Sequence, residues 1–291
     1  MRRRRPLSSN LAATMAACGI LASCVPLGTK TSSERIVSID YCADQMVLGL
    51  VERRRIAAVS VDVANDPAFS LPRSNGLPRV RASIEQVLAL RPTLVVRSYG
   101  GGPRMEAALR HAGIPVYTLP YAGDIAAVRV SILASGNALK AYPAAQARVQ
   151  QLDHALANAR AHRLVRATTG QKSHAATALY LTPGDVTTGP QSLVAELMQM
   201  AGYSSYERRP GWHRLPVERL VLNKPDLVVR GFFETSANQQ DRWSSARHRV
   251  LAQSLLHVPV ADVAGSDLAC GNWLAGNALN AISAVEPRGG S

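Results

Sequence analysis

IEQVLALRPTLVVR (residues 84–97) returns 133 positions later as VERLVLNKPDLVVR (217–230), with Glu, Pro, Leu, Val, Val and Arg in register, six of 14 positions. Each copy reads the same way. A short apolar helix carries a Glu near its start, a proline stops it, and a β-branched run ending in Arg follows as a strand. Short apolar strands recur by chance, but a Glu, a Pro and an Arg in the same register are less easily matched. Two structurally related lobes are the simpler explanation.

The surrounding sequence extends this pattern in both directions. In the first lobe (34–124), IVSI (36–39) reads as a strand. ADQMVLGLV (43–51) reads as a helix with Met46, Val47, Leu50 and Val51 on one side, and IAAVSV (56–61) as a strand. After a Pro- and Gly-rich loop (66–78), the first copy supplies a helix and a strand. A helix over 103–113 closed by Gly113 and a strand over 114–119 complete the lobe. The second lobe (167–286) repeats the alternation: ATALYLT (176–182) as strand, SLVAELMQMAG (192–202) as helix, LVV (227–229) and VPV (258–260) as strands, and a closing helix from Asn272 to Ala284. Strands interleaved with helices predict α/β lobes with parallel sheets. The intervening segment (125–166) carries no strand signal. Its 143–165 stretch sets Val149, Leu152, Leu156 and Ala159 on one stripe of a helix roughly 35 Å long. The expected fold is therefore two α/β lobes joined by one long backbone helix, with a ligand cleft between them and little room for wide hinge motion.

Of the 291 residues 47% are hydrophobic and 18% charged, which supports a sizeable core and excludes global disorder. The net charge of +13 includes Arg2, Arg3, Arg4 and Arg5; without them the balance is 29 basic against 20 acidic residues, or +9. The other basic residues are scattered except for Arg53, Arg54 and Arg55. With three Phe and three Trp to stack on bases, this argues against nucleic acid as a partner. Arg2–Arg5 followed by the apolar Leu11–Ala22 read as an export signal (1–23), too short for a lasting bilayer span. Leu21-Ala22-Ser23-Cys24 resembles a bacterial lipobox, in which the Cys24 thiol would take the lipid; an ordinary cleaved signal is the alternative. Residues 24–33 read as a tether and 287–291 as a tail. Export to an oxidising compartment makes a disulfide the leading reading for Cys42 and Cys270. Two buried thiols, or a thiol at a ligand site, are the alternatives.

The order of signal, tether, lobe, long helix and lobe is similar to the helical-backbone periplasmic substrate-binding proteins of ABC importers, which carry ferric siderophores, haem or vitamin B12. The resemblance covers residues 34–285 and rests on RIVSIDYCADQMVLGL, ASIEQVLALRPTLVV, AALRHAGIPVYTL, and the stretch from SLVAELMQMAG to ERLVLNKPDLVV, in that order. Within the family the chain looks most like the vitamin B12 binding members at two places. One is the turn Arg97-Ser98-Tyr99-Gly100-Gly101, and the other is Trp212, six residues before Glu218. Ser98 and Leu268 stand where those members carry Trp. The resemblance implies a monomeric receptor, held at a membrane by its lipid, that takes a metal chelate and hands it to a permease. Cobalamin or a ferric siderophore is the expected cargo and haem the alternative. The metal arrives inside the ligand, so no cofactor or protein metal site is expected. It further implies that Glu85 and Glu218, one per lobe, dock on permease arginines. A favourable acid near a helix N-terminus would explain either Glu alone.

In open α/β sheets ligands sit beyond the carboxyl ends of the strands. This selects the loops 40–43, 60–62, 97–102, 121, 184–188, 230–233 and 267–272, and the candidate ligand residues fall on or beside them. Tyr41, Tyr99 and Trp212 offer flat faces with a polar edge. Gly100 and Gly101 permit close backbone approach, against a plain turn. Arg97 and Arg230, equivalent strand ends, could each receive an anionic group, against surface ion pairs. Pro210, Gly211 and His213 beside Trp212 suggest a loop and favour a ligand role for it over packing alone; His213 reads as a ligand-side group or a structural hydrogen-bonder. No G-x-S-x-G, P-loop or H-E-x-x-H is present, so no catalytic residue is assigned; a chelatase-like enzyme built on related lobes is the remaining enzymatic reading.

Overall fold

The structure is a computed structural model that describes residues 34–168, 176–182, 184–216, 218–232, 253 and 255–286. The leader, Cys24, the tether and the tail lie outside them, as does Phe233 at the end of one selected loop.

The first lobe runs β1 (Ile36–Ser38), α1 (Tyr41–Leu50), β2 (Ile56–Ser60), α2 (Ser70–Arg73), β3 (Arg79–Val80), α3 (Ile84–Ala89), β4 (Leu94–Arg97), α4 (Gly102–His111) and β5 (Val116–Thr118). Its five strands are all parallel in the order β3-β2-β1-β4-β5. Two helices follow, α5 (Ile125–Ala138) and the 27-residue α6 (Tyr142–Thr168). The second lobe holds β6 (Thr177–Leu181), β7 (Val186–Thr188), α7 (Leu193–Met200), β8 (Ser204–Ser205), β9 (Trp212–Arg214), α8 (Glu218–Leu222), β10 (Leu227–Phe232), β11 (Val260–Ala264), α9 (Gly265–Ala269) and α10 (Ala275–Ala284). Its parallel sheet is ordered β11-β10-β6-β8, and β7 and β9 pair antiparallel beside it.

The repeated segments occupy equivalent places. β4 lies between β1 and β5, and β10 between β6 and β11. Both are buried on both faces, which is why each reads as an unbroken apolar run. The α6 stripe is buried at Leu152, Leu156 and Ala159. It shares one apolar core with α5, α10 and the inner faces of both sheets, while smaller clusters fill the outer face of each sheet.

Three expectations change. The strand expected at 258–260 begins at Val260, because the Val258 amide closes a turn on Leu255 and Pro259 contributes its carbonyl alone, to Val228. Trp212 and His213 lie on a strand rather than a loop, since β9 pairs with β7 through Thr188↔Trp212 and Thr187↔His213. That pairing also converts most of the 184–188 loop to strand. Residues 267–269, the first part of the loop expected over 267–272, belong to the short helix α9.

Candidate ligand-binding cleft

The site starts at Asp40, just past β1. One carboxylate oxygen caps α1 by accepting from the Ala43 amide at 2.9 Å. The other accepts from the amides of Ser98 (2.7 Å), Tyr99 (3.2 Å) and Gly100 (2.9 Å). One buried side chain thus ties the β1–α1 loop to the β4–α4 turn. A side chain at position 100 would run into the Ile39 carbonyl, and Gly101 sits at φ 72°, so this turn requires glycine at both positions. Within the turn Asp40 takes the Gly100 N–H and the Tyr99 carbonyl takes that of Gly102.

This tie presents an aromatic pair. Tyr41 and Tyr99 meet edge to face at 5.9 Å, with Tyr99 52% exposed. Burial first, then the carboxylates of Asp40, Asp66 and Asp62, push the Tyr41 phenol up to about 12. Burial, Tyr41 and the same acidic surroundings raise Tyr99 as well. Both are therefore neutral hydroxyls at physiological pH. The second lobe contributes a matching pair. Tyr180, buried near the end of β6, meets Trp212 at 5.9 Å, and Trp212 is 56% exposed. Burial raises Tyr180, and the charge of Tyr41 adds to the shift.

The charged candidates are engaged within their own lobes. Arg97 is nearly buried and donates to the Gly102 carbonyl at 3.0 Å and to Glu106 at 3.4 Å. Arg230 makes a two-pronged contact with Asp262, at 2.8 and 2.9 Å. His213 has one ring nitrogen 3.0 Å from the Gly211 carbonyl and the other 3.5 Å from buried Glu207, which also receives Arg219 at 2.9 Å. Burial alone would raise Glu207, but the Arg209 amide, Arg219 and His213 outweigh it and hold the carboxyl below its ordinary value. Among the described residues no group of three His, Cys, Asp or Glu side chains could hold a metal. Glu85 is exposed in the first turn of α3, and Glu218 opens the equivalent helix α8. Cys42, next to Tyr41, is disulfide-bonded to Cys270, S–S 2.01 Å, joining α1 to the end of α9.

Two hollows straddle the lobes. One of about 230 Å³ lies between Asn65–Ala68 and Asp262–Ser266. The other, about 840 Å³, lies between the start of α5 and the segment from Pro190 to Ser205.

Beneath Tyr41, buried Asp44 accepts from the hydroxyls of Ser38 and Ser60, and burial outweighs these bonds to raise it to about 7. The folded state thus holds a proton that the unfolded chain, with an ordinary Asp near 4, has released. This contribution to stability is complete below about pH 4 and is lost as pH rises through 7. Melting temperature should therefore fall between about pH 4 and pH 7, and Asp44→Asn should reduce that slope, with Asp267, raised to about 7 chiefly by burial, keeping the remainder. An unchanged slope in thermal melts of the variant would contradict this.

The periplasmic binding protein family model matches residues 36–229. No curated protein sequence matches the chain. Among solved structures, the chain is similar to the periplasmic haem-binding protein RhuT of Roseiflexus sp. RS-1 in its apo form, at 20% identity over 86% of this chain and 98% of that one, TM-score 0.67. A periplasmic haem-binding protein of Pseudomonas aeruginosa matches at 20% identity over 87% and 94%, TM-score 0.68. The periplasmic vitamin B12 binding protein BtuF of Vibrio cholerae matches at 17% over 86% and 95%, TM-score 0.59. With two thirds of its length matched by the family model and the same two-lobe fold in all three structures, the chain belongs to the periplasmic binding proteins.

Proposed function

We propose that this protein is the substrate-binding component of an ABC importer. It captures a metal-bearing chelate, cobalamin or a ferric siderophore, in the periplasm and delivers it to a membrane permease. The observation that carries this reading is the pairing of Tyr41 with Tyr99 in one lobe and of Tyr180 with Trp212 in the other, each pair with one ring, Tyr99 or Trp212, more than half exposed. Such faces suit a flat or ring-bearing ligand, and the exposed Tyr99 serves it as a hydrogen-bond donor. Haem is the second reading, since the exposed faces of Tyr99 and Trp212 suit a porphyrin equally. The metal belongs to the cargo, and the protein performs no chemistry on it. We place the chain in the periplasm as a monomer lipid-anchored through Cys24. Arg97 serves the site by holding the Gly102 end of the glycine turn, and Arg230 by joining β10 to β11. Calorimetric titration with cyanocobalamin, haem and a ferric hydroxamate tests the assignment. One-to-one binding of one of them supports it, and silence from all three refutes the ligand class.

Glu85 and Glu218 are assigned to permease docking. The double variant Glu85→Ala, Glu218→Ala should abolish uptake in cells carrying the matching permease while leaving chelate affinity within about twofold. A parallel loss of affinity would place these residues in the binding site instead.

A further inference from the structure

The lobes meet at a second place besides α6. Along the seam between α1 and α9, residues more than 200 positions apart in sequence form a closed set of contacts. The Cys42–Cys270 bond spans 228 residues. Close to Cys42 on α1, the buried Gln45 side chain uses both ends of its amide. Its nitrogen donates to Asp66 at 3.0 Å and to the Ser266 carbonyl at 3.2 Å, and its oxygen accepts from Asn272 at 2.6 Å. The Ser266 hydroxyl returns to Asp66 at 3.5 Å. Trp273 follows, fully buried. It lies edge-on to Phe69 at 5.8 Å and 5.0 Å from the Arg148 guanidinium, in space that exists because position 49 is glycine. Cys42 directly follows Tyr41 in sequence, and Ser266 lines the smaller hollow between the lobes.

We propose that this seam is a disulfide-locked brace that fixes Tyr41 relative to Tyr180 and so presets the width of the cleft, with Cys42, Gln45, Cys270 and Asn272 as positioning residues for ligand binding. The proposal rests on the cleft being the ligand site. A body joined to its partner along one helix retains some freedom to rock; a second covalent attachment away from that helix removes most of it. A cleft preset at the bound width loses less conformational freedom on binding, so the bond acts on ligand affinity as well as on fold stability. The polar set is fully internal. Gln45 and Asn272 satisfy each other and Asp66 only at one relative placement of the lobes, which gives the brace its register.

Hydrogen exchange on the ligand-free protein separates this proposal from the ligand assignment. Excess dithiothreitol transfers two electrons and two protons to the bond, giving the Cys42 and Cys270 thiols and the cyclic disulfide of the reagent. Reduction, or the double variant Cys42→Ser, Cys270→Ser, should accelerate exchange roughly tenfold in 41–50 and 265–273 while leaving 94–97 and 177–181 unchanged. Gln45→Leu, with the disulfide intact, should give a smaller increase confined to the same segments. Whichever of cyanocobalamin, haem or ferric hydroxamate binds the oxidised protein should bind the reduced form roughly tenfold more weakly, through faster dissociation. Exchange that rises uniformly, or not at all, overturns the brace, as does full thiol labelling of a never-reduced periplasmic sample. Local exchange with unchanged affinity overturns its positioning role. If no probe binds, the ligand reading fails while the exchange result still decides whether the brace exists.

Discussion

Trp212→Ala is expected to lower chelate affinity by roughly thirtyfold or more while leaving the melting temperature nearly unchanged. The indole is 56% exposed, so most of its apolar surface is free for a ligand. Its strand is held by backbone pairing between β7 and β9, which alanine preserves. Within the free protein the ring contributes mainly its edge contact with Tyr180, about 0.5–1.5 kcal/mol for such a pair. Large aromatic side chains that are exposed when free and covered when bound are where binding energy concentrates, and truncating one commonly costs 2 kcal/mol or more. Tyr99→Ala should act in the same direction from the opposite wall. Calorimetry with the bound chelate, paired with a thermal melt, measures both effects. Unchanged affinity in both variants would remove the aromatic pairs from the site.

The largest loss of stability is expected at Trp273. It is the largest fully buried side chain among the described residues, wedged between Phe69, Arg148 and the glycine face of α1. Trp273→Ala leaves a void that its neighbours, themselves fixed on α1, α6 and the loop before α2, can only partly fill. The cost is about 3–5 kcal/mol, or a drop of roughly 10 °C in melting temperature for a protein of this size. Gly49→Leu attacks the same contact from the other side by overfilling it, and should be comparably damaging. Denaturant unfolding of each variant gives the number directly. A loss under about 1 kcal/mol for Trp273→Ala would mean that the seam relaxes freely and does not hold the lobes in register.

The elements legible in the sequence are those whose signal is local. The duplicated helix-Pro-strand segment marked β4 and β10 because both are central strands with continuous apolar runs. The Val149, Leu152, Leu156 and Ala159 stripe marked α6 because a long amphipathic helix repeats its own evidence. Pairings between distant segments left no such trace. β7 and β9 are three residues each and become strands only by meeting one another. Asp40 fell within the selected loop 40–43, but its tie to the turn 58 to 60 residues away depends on how β1 and β4 lie side by side. For Arg97 and Arg230 the sequence left ligand contact and surface ion pairs both open, because their carboxylates, Glu106 on α4 and Asp262 on β11, belong to the next helix and the next strand. Two cysteines in an exported chain raised the question of a bond between them, whereas Gln45 and Asn272 carried no signal, since neither is unusual where it stands.

The central claim is that a chelate is held between the aromatic pairs of the two lobes, and tryptophan fluorescence tests it most directly. The processed protein would be titrated with cyanocobalamin, haem and a ferric hydroxamate, corrected for inner-filter absorption, in parallel with Trp212→Phe. Saturable one-to-one quenching by one chelate at micromolar concentration or below, with the larger part of the signal lost in Trp212→Phe, is the predicted result. Quenching of undiminished amplitude in Trp212→Phe, or no saturable quenching by any of the three, would contradict it.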